Sequence, residues 1–332
     1  MRVLVDNDVS KEQWESFYLS NFFSSPFQSY SFYSFFNSIE GLSAKVFACE
    51  ENNQILALCV VSLQKEKGIQ RFFSSRAIVY GGPLLCVNNP KVNDILIKHI
   101  KFFYKKKAIY IEFRNLLDYS KDKLVFIENG FNYLCYQNYL ININIDFFQK
   151  FNSEKRRQIR KSINLGVKLS VATQVEEIIQ LYEILYNVYR LKAKKPLPNV
   201  NFFLSLFNYF MIYRIGFVTL VKNEQNTIIG GSFCLVDNNT TYDWFRCGLD
   251  KEYKDFYPST LAAYAGMKFG FDMGCNTFDF MGAGLKGEKY GVREFKSQFG
   301  GQLVEFGRFI YIHNPFLYKL GKVGLNVLKL LK

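Results

Sequence analysis

Lys296 and its neighbours form the part of this chain best suited to do chemistry. They read Gly291-Val292-Arg293-Glu294-Phe295-Lys296-Ser297-Gln298-Phe299-Gly300-Gly301. Phe295 and Phe299 stand four apart, so on a short helix they face a core and leave Arg293 and Lys296 on another side. An ammonium group beside a reacting carbonyl stabilises the oxyanion that develops there, which is the main electrostatic task in acyl transfer. The competing reading is a surface lysine on a capping helix.

A second candidate is the helix that opens at Pro258. The N–H groups of its first turn, from Ser259, Thr260 and Leu261, lack partners inside the helix, and such an end with hydroxyls nearby binds anions. Ala263, Tyr264, Met267 and Phe271 equally suit an amphipathic helix packed on a sheet. A third candidate is Ser153-Glu154-Lys155-Arg156-Arg157-Gln158-Ile159-Arg160-Lys161-Ser162-Ile163, with Ser153 as N-cap and Gly166 as stop. Arg156/Arg160 and Arg157/Lys161 are like-charge pairs at i,i+4, each costing roughly 0.2–0.5 kcal/mol in an isolated helix. A phosphate-bearing substrate or an RNA backbone would remove that cost. A solvated face is the alternative.

The elements around these residues occur twice. Val46–Glu50 and Ile55–Val61 flank the turn Glu51–Gln54, and Phe217–Val221 and Ile228–Val236 flank Lys222–Asn226. Both read as β-hairpins. Each is followed by a helix opened by proline and then a strand carrying an acidic residue before phenylalanine: Pro90 leads to Glu112-Phe113, and Pro258 leads to Asp279-Phe280. We read two related α/β domains, 1–146 and 147–332, divided after the strand-like Tyr139–Ile145. The first copy has Tyr80-Gly81-Gly82-Pro83, where the chain turns at a sheet end. Only the second has the glycine-rich Met281-Gly282-Ala283-Gly284 and the Phe-Lys pair, so the chemistry is expected there.

Composition narrows the partners. The 332 residues carry 42 Lys+Arg against 29 Asp+Glu, a net charge of +13, which favours polyanions such as RNA, phosphorylated substrates or an anionic membrane. The 7 Cys form no Cys-x-x-Cys and the 2 His lie far apart. This argues against a disulfide framework, a zinc site and a His-based triad. The first residues lack the pattern of a signal peptide, and no apolar run is long enough to span a membrane. The expected location is cytoplasmic, at the inner face of the membrane if the basic, apolar 316–332 lies on it.

Taken together, Arg156-Arg157-Gln158-Ile159-Arg160-Lys161 before Gly166-Val167, the Pro258 helix ending at Gly274, Phe278-Asp279-Phe280-Met281-Gly282, and Phe295-Lys296-Ser297-Gln298-Phe299-Gly300 resemble the FemABX family. These are the peptidoglycan bridge-forming aminoacyltransferases, with acetyltransferase-like (GNAT-like) relatives. The resemblance covers most of 151–306. It implies two tandem GNAT-like domains of the α/β (α+β) class, each a mixed, mostly antiparallel sheet flanked by helices. It implies transfer of an aminoacyl group from aminoacyl-tRNA, or an acyl group from acyl-CoA, to an amine of a cell-envelope precursor, with no metal and no permanently bound cofactor. Carried over, Lys296 stabilises the tetrahedral oxyanion or contacts the tRNA end, and the Phe295 backbone lines the site. Pro258, Ser259, Thr260, Asp279 and Gly282 are then expected to bind the donor. Arg160, Lys161, Tyr189, Arg190 and Arg293 are expected to bind substrate, with the basic Lys192-Ala193-Lys194-Lys195 beside them. Two features depart from the pattern: there is no long coiled-coil hairpin, and the loop Lys251–Tyr257 before the Pro258 helix has no glycine. A second function remains open, a non-catalytic GNAT-like module that binds RNA or anionic membrane through its basic surface.

Overall fold

The structure is a computed structural model that describes residues 1–65, 74–86, 89–193, 197–288 and 291–330. In chain order the first elements are β1 (Arg2–Val5), α1 (Lys11–Ser20), α2 (Tyr30–Ser38), β2 (Leu42–Glu51), β3 (Gln54–Gln64), β4 (Arg76–Tyr80), α3 (Pro90–Tyr104), β5 (Tyr110–Arg114), α4 (Lys123–Glu128) and β6 (Asn132–Leu134). There follow β7 (Asn138–Asn142), α5 (Ser153–Asn164), β8 (Lys168–Val171), α6 (Val175–Asn187), α7 (Val200–Tyr213), β9 (Gly216–Lys222), β10 (Ile228–Asp237) and β11 (Thr240–Gly248). The last are α8 (Pro258–Asp272), β12 (Thr277–Asp279), α9 (Gly291–Ser297), β13 (Gln302–Val304), β14 (Arg308–Ile312) and α10 (Pro315–Leu330).

Asparagine makes the hairpins. Asn52 and Asn53 between β2 and β3 have φ of 51° and 60°, and Asn238 and Asn239 between β10 and β11 have 43° and 61°. Two successive left-handed residues are what a type I′ turn requires, and asparagine tolerates them better than other non-glycine residues.

The two sheets have one topology. The first runs β1-β2-β3-β4-β5-β14-β6 and the second β8-β9-β10-β11-β12-β7-β13. In each, only the fourth and fifth strands are parallel, β4 with β5 and β11 with β12. The duplication read from the sequence is therefore present strand by strand, and the architecture is the expected mixed, mostly antiparallel sheet with helices.

The division of the chain differs from the contiguous halves 1–146 and 147–332. The compact units are Met1–Tyr136 with Glu305–Lys332, and Gln137–Val304. The reason lies in the sixth strand of each sheet. β7, assigned by sequence to the first half, pairs with β12 and β13. β14, assigned to the second, pairs with β5 and β6. A strand's apolar pattern shows that it pairs, and nothing in it names the partner.

In the second unit α8 lies on β9, β10 and β11. Ala263 and Met267 are fully buried as expected, whereas Phe271 stays exposed. Phe147, Phe151, Phe278, Phe280 and Phe299 build the core beneath it.

Candidate functional site

β11 and β12 pair over only three residues, ending at Tyr242 opposite Asp279. Beyond that point no pairing continues, and the residues at the fork are Asp243 and Arg246 on one side and Asp279, Phe280 and Met281 on the other. The β10–β11 register shifts between Phe233 and Cys234, so Trp244 has no opposite residue. That bulge is why Asp243 and Arg246, three apart, meet on one side of the strand, with the Arg246 guanidinium donating to Asp243 Oδ2 at 2.5 Å. Asp243 Oδ1 is buried and has no hydrogen-bond partner among the described residues.

The turn after β12 is clamped from three directions. Met281 has φ of 54°, a left-handed conformation that costs a side-chain-bearing residue energy. Its N–H donates to Asp279 Oδ1 at 2.5 Å. From β7, Asn138 Nδ2 donates to the same carboxylate oxygen at 2.6 Å, and Asn138 Oδ1 accepts from Gly282 N at 2.7 Å. From α9, Lys296 Nζ donates to the carbonyls of Phe280 at 2.7 Å and Gly282 at 2.5 Å. Lys296 is 6% exposed. The lysine is thus buried at the fork rather than displayed on a helix surface, and two of its three donors hold the turn.

Asp279 is 1% exposed. Burial pushes its carboxyl up to about 6, with Asp243 adding repulsion, against the opposing pull of Asn138, the Met281 N–H and Lys296. A buried acid whose carboxyl is pushed toward neutral pH beside a cation is the kind of group active sites contain.

Above the fork the ring of Phe295 lies between two cations. Arg246 Cζ is 5.1 Å from its centroid and Lys155 Nζ 4.4 Å. Lys155 is buried on the inner face of α5, where its Nζ donates to Gln158 Oε1 at 3.1 Å and to Thr260 Oγ1 at 3.0 Å. Burial lowers its pKa more than Glu154 and Asp250 raise it. Phe295 and Phe299 do face the core, so the expected spacing holds, and their rings also carry the site's cations.

The N-terminus of α8 is already occupied. Asp250 Oδ1 accepts from Ser259 N at 2.9 Å, and Asp250 Oδ2 accepts from the Ser259 hydroxyl. Gly248 allows this approach, because a Cβ there would collide with the Ser259 backbone nitrogen. Thr260 N bonds to Tyr257 O at 3.0 Å, and its hydroxyl is committed to Lys155 and Gln158. Of the groups expected to cradle a donor phosphate, Ser259 therefore meets a carboxylate of the chain itself, and the Thr260 hydroxyl is taken by Lys155 and Gln158.

The remaining expected site residues divide. Arg293 is a staple of the glycine-rich loop, donating to the carbonyls of Ala283 at 2.9 Å, Glu288 at 3.1 Å and Leu285. Arg160 and Lys161 line an open groove on α5, away from the fork side of that helix. Tyr189 and Arg190 lie in a π-helical turn, Val188–Ala193, beside Phe245 and Tyr186 respectively. Lys194 and Lys195 fall outside the described residues. No helix among the described residues is long and apolar enough to cross a membrane. Asp243, Arg246, Lys155, Asn138 and Asp250 were not singled out from sequence. The visible signal was an Asp and an Arg inside the β-rich run 240–248, but strict alternation puts residues three apart on opposite faces, and only the bulge brings them together.

The equivalent acid of the first unit is closed off. Burial pushes Glu112 up, but Arg114 and Arg308 outweigh it and hold the carboxyl at about 2. Arg114 Nε and Arg308 bond to it at 2.9 and 2.8 Å. The asymmetry expected between the copies is thus one of charge as well as of glycine content.

Two mixed sheets of one topology, with a polar fork between the parallel strands of the second, define a tandem GNAT-like fold. In overall structure the chain is similar to FemX, with TM-score 0.73 at 16% identity over 96% of this chain and 99% of that one. It is also similar to a tandem GNAT protein from the clavulanic acid biosynthesis pathway, with TM-score 0.60 at 8% identity over 95% and 99%. Residues 214–323 match the model of the FemAB family, so the family resemblance read from the motifs stands. A curated relative, the lipid II:glycine glycyltransferase of Staphylococcus haemolyticus (strain JCSC1435), is 30% identical over 106 residues. That stretch is 30% of this chain and 25% of the relative.

Proposed function

We propose that the protein is an aminoacyltransferase that moves an amino acid from a charged tRNA to an amine of a peptidoglycan precursor. The observation that carries this reading is that the FemAB match, residues 214–323, contains the fork from Asp243 to Lys296. The acceptor class follows the matched relative, whose name specifies lipid II.

The amine attacks the ester carbonyl, a C–N bond forms, the ester C–O bond breaks, and the amine's proton passes to the released ribose hydroxyl. Such a reaction requires positioning of both partners and stabilisation of one developing oxyanion. Lys296 is the cation beside the turn where that charge would develop. Arg246 and Lys155 surround Phe295 with further positive charge, and Asp279 is the group at the fork able to exchange a proton near neutral pH.

Aminoacyl-tRNA is favoured over acyl-CoA because Asp250 occupies the helix end that would receive a pyrophosphate. A carboxylate there repels a second anion and has already taken the Ser259 N–H. The test is incubation of the protein with radiolabelled aminoacyl-tRNAs or acetyl-CoA and lipid II. Label from aminoacyl-tRNA in the lipid fraction supports the reading, and label from acetyl-CoA alone refutes the donor.

A further inference from the structure

The outer face of α5 carries charge that the site itself does not use. The helix buries Lys155, Gln158, Ile159 and Ser162. It turns Arg156, Arg157, Arg160 and Lys161 toward an open groove of about 510 Å³. Two of these cations have local work. Arg156 donates to the carbonyls of Gln149 at 2.7 Å and Phe151 at 2.6 Å. Lys161 pairs with Asp255 at 2.6 Å. The nearby Glu154 accepts from Gln158. The other two are turned outward. Arg160 is exposed, its guanidinium 5.5 Å from the Phe148 ring. Arg157 is exposed and has no hydrogen bond or ion pair among the described residues.

We propose that this face docks the phosphodiester backbone of the donor RNA, an inference that rests on the aminoacyl-tRNA reading above. Three observations lead there. The like-charge neighbours at i,i+4 oppose the helix, and among the described residues Asp255 offsets this for Lys161 while the three arginines have no carboxylate partner. Guanidinium groups present planar forks suited to phosphate oxygens. The groove is open and one-sided, which suits a polyanion running along it better than a small ligand, since small-ligand pockets enclose most of their occupant. The same helix links groove to fork: its inner face sends Lys155 to within 4.4 Å of the Phe295 ring centroid. A strand held on the outer face is then about one helix diameter, roughly 10 Å, from the fork, and its 3′ end can turn in. An anionic lipid surface fits less well, because Leu165 is the one aliphatic residue lining the groove and offers little to insert among acyl chains.

The test measures binding of uncharged tRNA to the full chain at several salt concentrations, for wild type and for Arg157→Ala/Arg160→Ala. Both residues are exposed, and a melting curve checks the fold. A charge-matched control, Lys98→Ala/Lys268→Ala, removes two cations elsewhere. Each lost phosphate contact flattens the plot of log K against log salt by about 0.9, so the groove variant is expected to flatten it by about 2 and to weaken binding at low salt at least tenfold. The control is expected to keep the wild-type slope. Unchanged slope and affinity in the groove variant, or equal loss in the control, overturns the proposal. So does a loss confined to phosphatidylglycerol vesicles, which would make the face a membrane contact. If wild type fails to transfer from aminoacyl-tRNA while the groove variant alone loses tRNA binding, the donor reading fails and the docking surface stands.

Discussion

The Asp250 carboxylate accepts from both the backbone N–H and the hydroxyl of Ser259, so the first turn of α8 is capped by the chain's own anion. On the proposed function, this one contact argues for aminoacyl-tRNA over acyl-CoA as donor. Replacing Asp250 with alanine frees the helix end. Loss of a side-chain cap costs about 1 kcal/mol, so Asp250→Ala is expected to melt about 2 °C below wild type. The variant is also expected to gain a thermal shift with coenzyme A that wild type lacks. A wild-type shift with coenzyme A at the same concentration would contradict the role given to Asp250.

Asp279 and Glu112 sit at equivalent places in the two sheets and titrate in opposite directions. The Asp279 pKa is raised, to about 6 from 3.8. The folded state then binds the proton more tightly, and stability from this group declines as pH rises through that window. The shift corresponds to about 3 kcal/mol at most. Asp279→Asn is expected to flatten the dependence of Tm on pH between about 4 and 6. An unchanged profile would show that Asp279 ionises normally.

The Glu112 pKa is lowered, to about 2 from 4.5. Its contribution is present above about 4.5 and lost as pH falls through about 2. Glu112→Gln leaves the partly exposed Arg114 and Arg308 without their carboxylate and is expected to cost about 1–3 kcal/mol at neutral pH, the scale of lost charge-assisted hydrogen bonds. The penalty should shrink on acidification, as read by denaturant unfolding at pH 7 and pH 3. A variant as stable as wild type at pH 7 would refute the assignment.

Arg293, expected to bind substrate, gathers the carbonyls of Ala283, Leu285 and Glu288. Arg293→Ala is expected to loosen the loop, visible as faster proteolysis within 283–288, and to raise KM more than it lowers kcat. Unaltered proteolysis with a collapsed kcat would return Arg293 to the reacting atoms.

These contrasts mark what sequence makes legible. Period-two and period-3.6 patterns, Pro90 and Pro258 at helix starts, and the Asn turns all act locally, so the hairpins, the two proline-opened helices and the duplication could be read directly. The strand exchange could not, because β7 and β14 carry no mark of which sheet they join. The Phe-Lys segment, singled out from sequence, lies at the fork end of the second sheet. The bulge that unites Asp243 with Arg246, and the burial that turns Lys296 inward, are tertiary effects with no local signature.

The central claim is that Lys296 serves the reaction at the fork as well as the turn it holds. The two carbonyl contacts of Lys296 predict some destabilisation in Lys296→Ala, so Lys296→Met, which keeps the buried chain, is the better probe. The decisive measurement is single-turnover transfer from aminoacyl-tRNA to lipid II at a temperature where both proteins are folded. The account predicts a rate at least about 100-fold below wild type, as for loss of one oxyanion donor, with donor binding retained. A folded Lys296→Met protein that transfers at the wild-type rate would contradict it.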